Sequence, residues 1–364
     1  MITKNYPGSP DKYKSAINAI LPTFKATNDR IYANKIMLKD NHGRIINYLR
    51  LAVTDRCNLR CFYCMPEDGL HWLSRKELMS YEELLHISRL LVNMGIEKIR
   101  ITGGEPFARK DIMAFLTDLS KLSGLRQLTI TTNGVLTAPL VPELKKIGIQ
   151  TVNLSIDTID RERFLAITRR DELGKVMETL DQLLRYGIEV KINAVVMDGK
   201  NTQDIISLVS LTKELPVSVR FIEEMPFNGA EGKYEGIKWD YSAILATIKA
   251  SYPNIEKLPD PPFSTSYNYK IPGHKGSIGI IAAYSRSFCG TCNRIRITPD
   301  GLLKMCLYDH GVVNIKDIMR TGVGDEHLSA VLSNAIDHRT YDGWEAERNA
   351  PHNLSRESMA TIGG

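Results

Sequence analysis

Nowhere does the chain run apolar for the roughly 18 positions that a membrane-crossing helix needs, so no bilayer-spanning segment and no membrane partner are expected. The N-terminus offers neither an apolar signal core nor an Arg- and Ser-rich, acid-free transit pattern, and a cytoplasmic location is expected. Long single-sign charge runs are missing too. The 47 Lys and Arg interleave with 42 Asp and Glu for a net charge of only +5. That balance argues against a nucleic-acid partner and favours a local basic pocket for a phosphorylated small molecule. No G-x-x-x-x-G-K-[ST] loop occurs, so any nucleotide phosphate must be held in another way. Internal repeats and low-complexity tracts are absent, and 43% hydrophobic with 24% charged residues lies far from the composition of disordered chains. Cysteine is sparse, six in 364 residues. Without a secretory signal, close-spaced cysteines are more often metal or cofactor ligands than disulfide partners.

What is present is alternation. Residues 1–40 carry turn signals (Tyr6-Pro7-Gly8, Ser9-Pro10) and no motif, and form an N-terminal extension. Strand-like segments near 45–53, 97–102, 126–131, 150–156, 188–196 and 217–223 then alternate with amphipathic stretches near 81–94, 110–122, 137–147, 174–187, 202–213 and 240–250. Six β-α units in a row predict a partial (β/α)6 barrel, TIM-like, over residues 41–255, with its chemistry at the C-terminal ends of the strands. The run Leu258-Pro259-Asp260-Pro261-Pro262 breaks this pattern, and residues 256–364 are expected to form a smaller, strand-rich extension.

The cysteines fall into two triads. Cys57, Cys61 and Cys64 have the spacing C-x3-C-x2-C in one loop, offering three thiolates where a cubic four-iron cluster takes four and so leaving one iron open to a small ligand. Cys289, Cys292 and Cys306 repeat the offer with spacing C-x2-C-x13-C. The competing reading is zinc, with His71 or His310 as a fourth ligand, and it is stronger for the second triad than for the first. Arg294 and Arg296, on alternate residues beside that triad, suit an anionic or purine-bearing ligand; a solvated strand face is their ordinary alternative. Gly103-Gly104-Glu105-Pro106 reads as a tight turn in close approach to a ligand, or as a plain β-α turn.

With Tyr63 just before its last cysteine, CNLRCFYC resembles the signature of the radical S-adenosylmethionine (SAM) superfamily, and GGEP resembles the motif that holds the methionine end of SAM in that superfamily. The set CNLRCFYCMP, RITGGEP, TTNG, NLSIDT, KINAVV, RFIEEMP, CNRIR and the terminal Gly363-Gly364 resembles the GTP 3′,8-cyclase family over about residues 40–364. The resemblance implies a lyase of molybdenum cofactor (molybdopterin) biosynthesis with two [4Fe-4S] clusters and SAM as cofactors. Reductive cleavage of SAM would give a 5′-deoxyadenosyl radical that removes the 3′ hydrogen of GTP. Carbon 3′ would then attack carbon 8, and reduction of the resulting radical by one electron and one proton would give (8S)-3′,8-cyclo-7,8-dihydroguanosine 5′-triphosphate. The second cluster would bind the guanine.

By the same resemblance the six cysteines are the metal ligands; Tyr63, Gly104, Ser155 and Met225 bind SAM; and Arg50, Lys98, Arg100, Thr131, Lys191, Arg220, Arg294, Ile295 and Arg296 bind GTP. Gly363 and Gly364 are expected to reach the active site, although on position alone a frayed end would be the ordinary reading. An electron donor and a downstream cyclic pyranopterin monophosphate synthase are the implied partners, and a homodimer is compatible with the likeness. The run after GGEP, Phe107-Ala108-Arg109, departs from the leucines more usual there, a difference expected to alter packing alone.

Overall fold

Alternate burial along the strands sets the architecture. In β5 (Glu189–Val196) the apolar Val190, Ile192, Ala194 and Val196 are buried, while Lys191, Asn193 and Val195 on the other face are only half-buried. A strand whose two faces differ in this way packs its apolar side under helices and turns its polar side to a cavity. The computed structural model describes residues 37–66, 69–227, 236–350 and 357–363. The expected N-terminal extension, apart from residues 37–40, and Gly364 lie outside the described residues. Residues 37–364 cluster as one unit.

The six expected units are found. Strands β1 (Tyr48–Ala52), β2 (Lys98–Thr102), β3 (Gln127–Thr132), β4 (Thr151–Ser155), β5 and β6 (Ser218–Glu223) pair in parallel in that order. Helices α1 (Tyr81–Asn93), α2 (Ile112–Ser120), α3 (Val141–Lys146), α4 (Arg161–Thr168), α5 (Leu173–Arg185), α6 (Ile205–Glu214) and α7 (Tyr241–Ser251) lie between and after them. Local chemistry starts these helices where the apolar period begins. Ser80 and Glu83 close a capping box on α1, with Glu83 N donating to Ser80 Oγ at 3.2 Å and Ser80 N to Glu83 Oε2 at 2.7 Å. Asp240 caps α7 by accepting from Ala243 N at 2.8 Å. Helix α4 is the one unforeseen member. It is short and half polar, burying only Phe164, Ile167 and Thr168, so its period is faint.

The C-terminal extension is strand-rich and joins the same sheet. Strands β7 (Glu256–Lys257), β8 (Tyr267–Lys270) and β9 (Ser277–Ile281) add to the β6 edge, and β10 (Arg294–Ile297), β11 (Leu302–Lys304) and β12 (Val313–Asn314) add to the β1 edge. Both β9 and β10 run parallel to their barrel neighbours, so eight parallel strands form the wall and antiparallel pairs flank it. Helices α8 (Ile315–Arg320), α9 (Asp325–Asp337), α10 (Gly343–Arg348) and α11 (Met359–Ile362) follow.

Candidate active site

The first triad sits in the loop after β1, at the C-terminal end of the parallel strands. GGEP occupies the same end of β2, the Asn133-Gly134 pair the same end of β3, and Ser155 closes β4. The glycines are there because the loops touch. A Cβ on Gly104 would lie 2.4 Å from the Arg56 carbonyl oxygen, and one on Gly103 would lie 2.4 Å from that of Thr54. Gly104 N donates to Thr54 O at 2.8 Å and Glu105 N to Arg56 O at 2.8 Å. The Glu105 carboxylate then ties this loop to the next one, accepting from Phe107 N (3.1 Å), Thr132 Oγ1 (2.9 Å) and Asn133 N (2.7 Å). Burial nevertheless pushes its carboxyl up to about 7. Arg109, expected to affect packing alone, does more. It donates to Val53 O at 2.5 Å and Met79 O at 2.7 Å and lies over the Tyr81 ring.

The second triad forms at the opposite end of the strands. Cys289 and Cys292 precede β10, which is parallel to β1, and Cys306 follows β11, which is antiparallel to β10. Both triads nonetheless line one cavity of about 490 Å³. Burial, with lesser contributions from acidic and thiol neighbours, raises the thiols of Cys57 and Cys306 to about 11 and lifts those of Cys61 and Cys64 further. Burial would also raise Cys292, but Arg294 and Arg339 outweigh it and hold that thiol down at about 6. Among the described residues, no three Cys, His, Asp or Glu side chains converge on a point that could hold one metal ion. A cuboidal cluster takes its thiolates at separate corners, and two open cysteine triads around a shared cavity fit it.

Between the triads runs a cationic wall whose register is that of the sheet. Arg296, Arg50 and Arg100 are direct cross-strand neighbours on β10, β1 and β2, and Arg294, Tyr48 and Lys98 form the adjacent row. Thr131, Asn153 and Lys191 align on β3, β4 and β5, and Asn193 pairs with Arg220 on β6. Gly279 faces Arg220 across the β6–β9 pair, where a Cβ would lie 3.1 Å from Arg220 Cγ. Burial foremost pulls Lys98, Arg100, Lys191, Arg220 and Arg296 below their ordinary values, and Arg50 to about 10. A guanidinium does not deprotonate in a protein, so the depression records positive charge held out of water, with cationic neighbours adding to it at every position but Arg220, and an anion would relieve it. Lys191 is partly relieved by Glu189 at 2.9 Å. The Arg220 Nε, Thr131 hydroxyl and Asn193 amide oxygen are buried with no hydrogen-bond partner among the described residues.

Nearly all the expected site residues meet here: Tyr63, Gly104, Ser155, Met225 and the cations with Thr131 all line the cavity. Ile295 does not. Period two turns it away from its arginine neighbours into the fully buried core. Gly363 reaches the wall through its carbonyl oxygen, which accepts from Arg296 Nη1 at 2.9 Å. Several residues were missed. Asp157, inside NLSIDT, accepts from the Tyr63 hydroxyl at 2.7 Å and from Val195 N at 2.8 Å. Tyr48 alternates with Arg50 on β1, a signal that period two could have supplied. Arg286 lies between the Tyr308 and Trp344 rings, 3.5 and 3.7 Å from their centroids, and no motif announces it.

The radical SAM superfamily model matches residues 51–212, and Molybdenum Cofactor Synthesis C matches residues 217–343. The crystal structure of Streptococcus suis SuiB is similar in fold, with a TM-score of 0.56 at 16% identity over 76% of this chain and 65% of that one. "Molybdenum cofactor biosynthesis protein 1" of Bos taurus is 43% identical over 300 residues, 82% of this chain but 47% of its own length, so the chain spans about half of that relative. "GTP 3′,8-cyclase" of Clostridium perfringens is 38% identical over 300 residues, 82% of this chain and 92% of its own length. Identity of that depth across nearly a whole relative is decisive, and the chain belongs to the GTP 3′,8-cyclase family of the radical SAM superfamily.

Proposed function

We propose that the chain converts GTP to (8S)-3′,8-cyclo-7,8-dihydroguanosine 5′-triphosphate, the first step of molybdenum cofactor biosynthesis. One observation carries the reading: two cysteine triads and the cationic wall between them line a single cavity. Cys57, Cys61 and Cys64 would hold one [4Fe-4S] cluster and Cys289, Cys292 and Cys306 the other. When bound, these groups with SAM supply the 5′-deoxyadenosyl radical and an open iron for guanine.

The rest falls to side chains. Tyr63, its hydroxyl anchored by Asp157, offers a fixed ring for adenine beside Met225, with Ser155 at the ribose and the Gly104 loop at the methionine end. Arg50, Arg100, Lys191 and Arg220, with Lys98 and Thr131, would take the triphosphate, since crowded buried cations need a polyanion. Arg294 and Arg296 place the nucleotide beside the second triad. Ile295 would contribute only its backbone, its side chain being in the core. Gly363 and Gly364 would complete the site by limiting how Arg296 can orient. The division into residues 1–40, 41–255 and 256–364 follows the same allocation, the barrel carrying SAM and the last part the second cluster.

Six unpaired thiols support a reducing, cytoplasmic setting. An external electron donor is required by the chemistry, and the cyclised product would pass to a cyclic pyranopterin monophosphate synthase. The test is anaerobic reconstitution with iron and sulfide, then incubation with SAM, GTP and a strong reductant. Mass spectrometry is expected to find 5′-deoxyadenosine and an isomer of GTP in step. Cleavage of SAM with GTP left intact overturns the assignment.

A further inference from the structure

The second triad is gripped by buried ions that no nucleotide contact calls for. Arg339, just beyond α9, is 4% exposed and faces Cys292 twice. Its Nη2 donates to Cys292 Sγ at 3.0 Å and its Nη1 to the Cys292 carbonyl oxygen at 2.9 Å. Behind it stands Asp40, whose side chain is fully buried, 3.7 Å from Arg339 Nη1 and 2.6 Å from Arg44 Nε. Arg44 donates onward to the carbonyl oxygens of Cys289 at 3.1 Å and Thr340 at 2.8 Å, and His42 Nε2 donates to the Arg339 carbonyl oxygen at 2.9 Å. The segment just before β1 and the end of α9 therefore close together on the Cys289–Cys292 turn.

Holding that turn in place would need the carbonyl contacts alone. The contact to sulfur differs in kind, because it points a full positive charge at an atom that would ligate iron. Among the described residues no cation donates a hydrogen bond to a sulfur of the first triad; there Cys57 Sγ accepts from the neutral amide of Asn133, at 3.6 Å, and from the Leu59 backbone.

We propose that Arg339, its charge partly offset by Asp40, sets the reduction potential of the cluster held by Cys289, Cys292 and Cys306. The inference rests on the reading that this triad holds a [4Fe-4S] cluster. Reduction adds one electron from an external low-potential donor and no proton, so the cluster gains one negative charge. A cation donating to a ligating sulfur favours the reduced form and raises the potential. A buried carboxylate behind that cation works the other way. Arg339 is in this sense a positioning residue, acting through Cys292 and touching no substrate.

The two ions predict shifts of opposite sign. The full chain is reconstituted anaerobically and titrated reductively under EPR, and each variant is also made with Cys57, Cys61 and Cys64 changed to Ala so that only the second cluster reports. Arg339→Gln is expected to move the potential to more negative values, Asp40→Asn to more positive ones, and Arg339→Lys to fall between Arg339→Gln and the unaltered chain. Potentials that stay put, or that move in the same direction in both variants with iron content intact, overturn the inference alone. About four irons per unaltered chain, with no EPR signal from the second triad, overturns both it and the two-cluster reading. If Arg339→Gln loses the cluster, Asp40→Asn decides: an upward shift supports the inference and an unmoved potential overturns it.

Discussion

Arg296 Nη1 donates to the carbonyl oxygen of Gly363 at 2.9 Å, joining the inner face of β10 to the end of the chain. Only glycine suits that end. Gly363 has φ +74°, and a Cβ there would lie 2.7 Å from Thr102 Oγ1 and 2.8 Å from the Ala52 Cβ. The short helix α11 delivers it, packing Ile362 with Phe227, Tyr308 and Ala346. Removing Gly363 and Gly364 leaves a buried guanidinium short of an acceptor. Turnover is expected to fall about tenfold or more, in line with roughly 1.5–3 kcal/mol for a hydrogen bond to a charged group. Iron content and GTP affinity, measured on the same samples, should hold. A truncated chain that cyclises GTP at the full rate would make the tail a passive end.

Arg294 and Arg296 flank the same cavity, one on each of two adjacent cross-strand rows. Changing either to Ala is expected to weaken GTP binding by about 1.5–3 kcal/mol, the range for charge-assisted hydrogen bonds. SAM affinity should barely change. Calorimetry with each ligand on cluster-replete protein separates the two.

At Gly104 the sheet leaves no room for a methyl group, since a new Cβ would meet the Arg56 and Asp55 carbonyl oxygens at 2.4 and 2.6 Å. Backbone on both sides has to move. Gly104→Ala should therefore abolish SAM binding while the second triad still takes up iron, which equilibrium binding and iron assays would read out.

Glu105 makes stability depend on pH in an unusual sense. Its carboxyl is raised to about 7 from 4.5 by burial, so the folded chain binds the proton more tightly than the unfolded chain. Stability from this group is present in full below the unfolded value and is lost as pH rises toward 7. Melting temperatures of the apoprotein should fall between pH 5 and 8, and Glu105→Gln should flatten that slope. Asp157, held up at about 6 by burial, contributes in the same sense and leaves a residual slope.

Replacing Cys57, Cys61 and Cys64 by Ala should take iron from about eight to about four per chain and end 5′-deoxyadenosine formation. The matching change at Cys289, Cys292 and Cys306 should also halve the iron but leave SAM cleavage measurable. Zinc in place of the missing iron would argue against paired clusters.

Much of this molecule is legible in the sequence alone. β1 to β6 announced themselves because each is a short β-rich run bounded by a turn and followed by an amphipathic helix. Spacing exposed the cysteine triads, and the motifs sat at strand ends where a barrel does its chemistry. Pairings across sequence were not legible. Nothing in Arg294–Ile297 says that it lies beside β1, because strand partners are chosen by tertiary packing. Arg339 and Arg286 are isolated residues whose importance comes from what the fold brings to them. Arg109 looked like a packing change because its acceptors, the carbonyls of Val53 and Met79, are backbone and carry no sequence signature.

The pairing of β10 with β1 also bears on how the chain is made. Asn47 and Asn293, hydrogen-bonded at 2.7 Å just before those strands, are separated by 246 positions. During synthesis β1 would leave the ribosome long before its outer neighbour exists, presenting an open edge that invites wrong pairing. Contacts this distant in sequence slow folding, because a long loop must close before they form. Nascent chains halted before residue 294 are expected to be protease-sensitive at β1 and to bind chaperones, and release of the complete chain should end both.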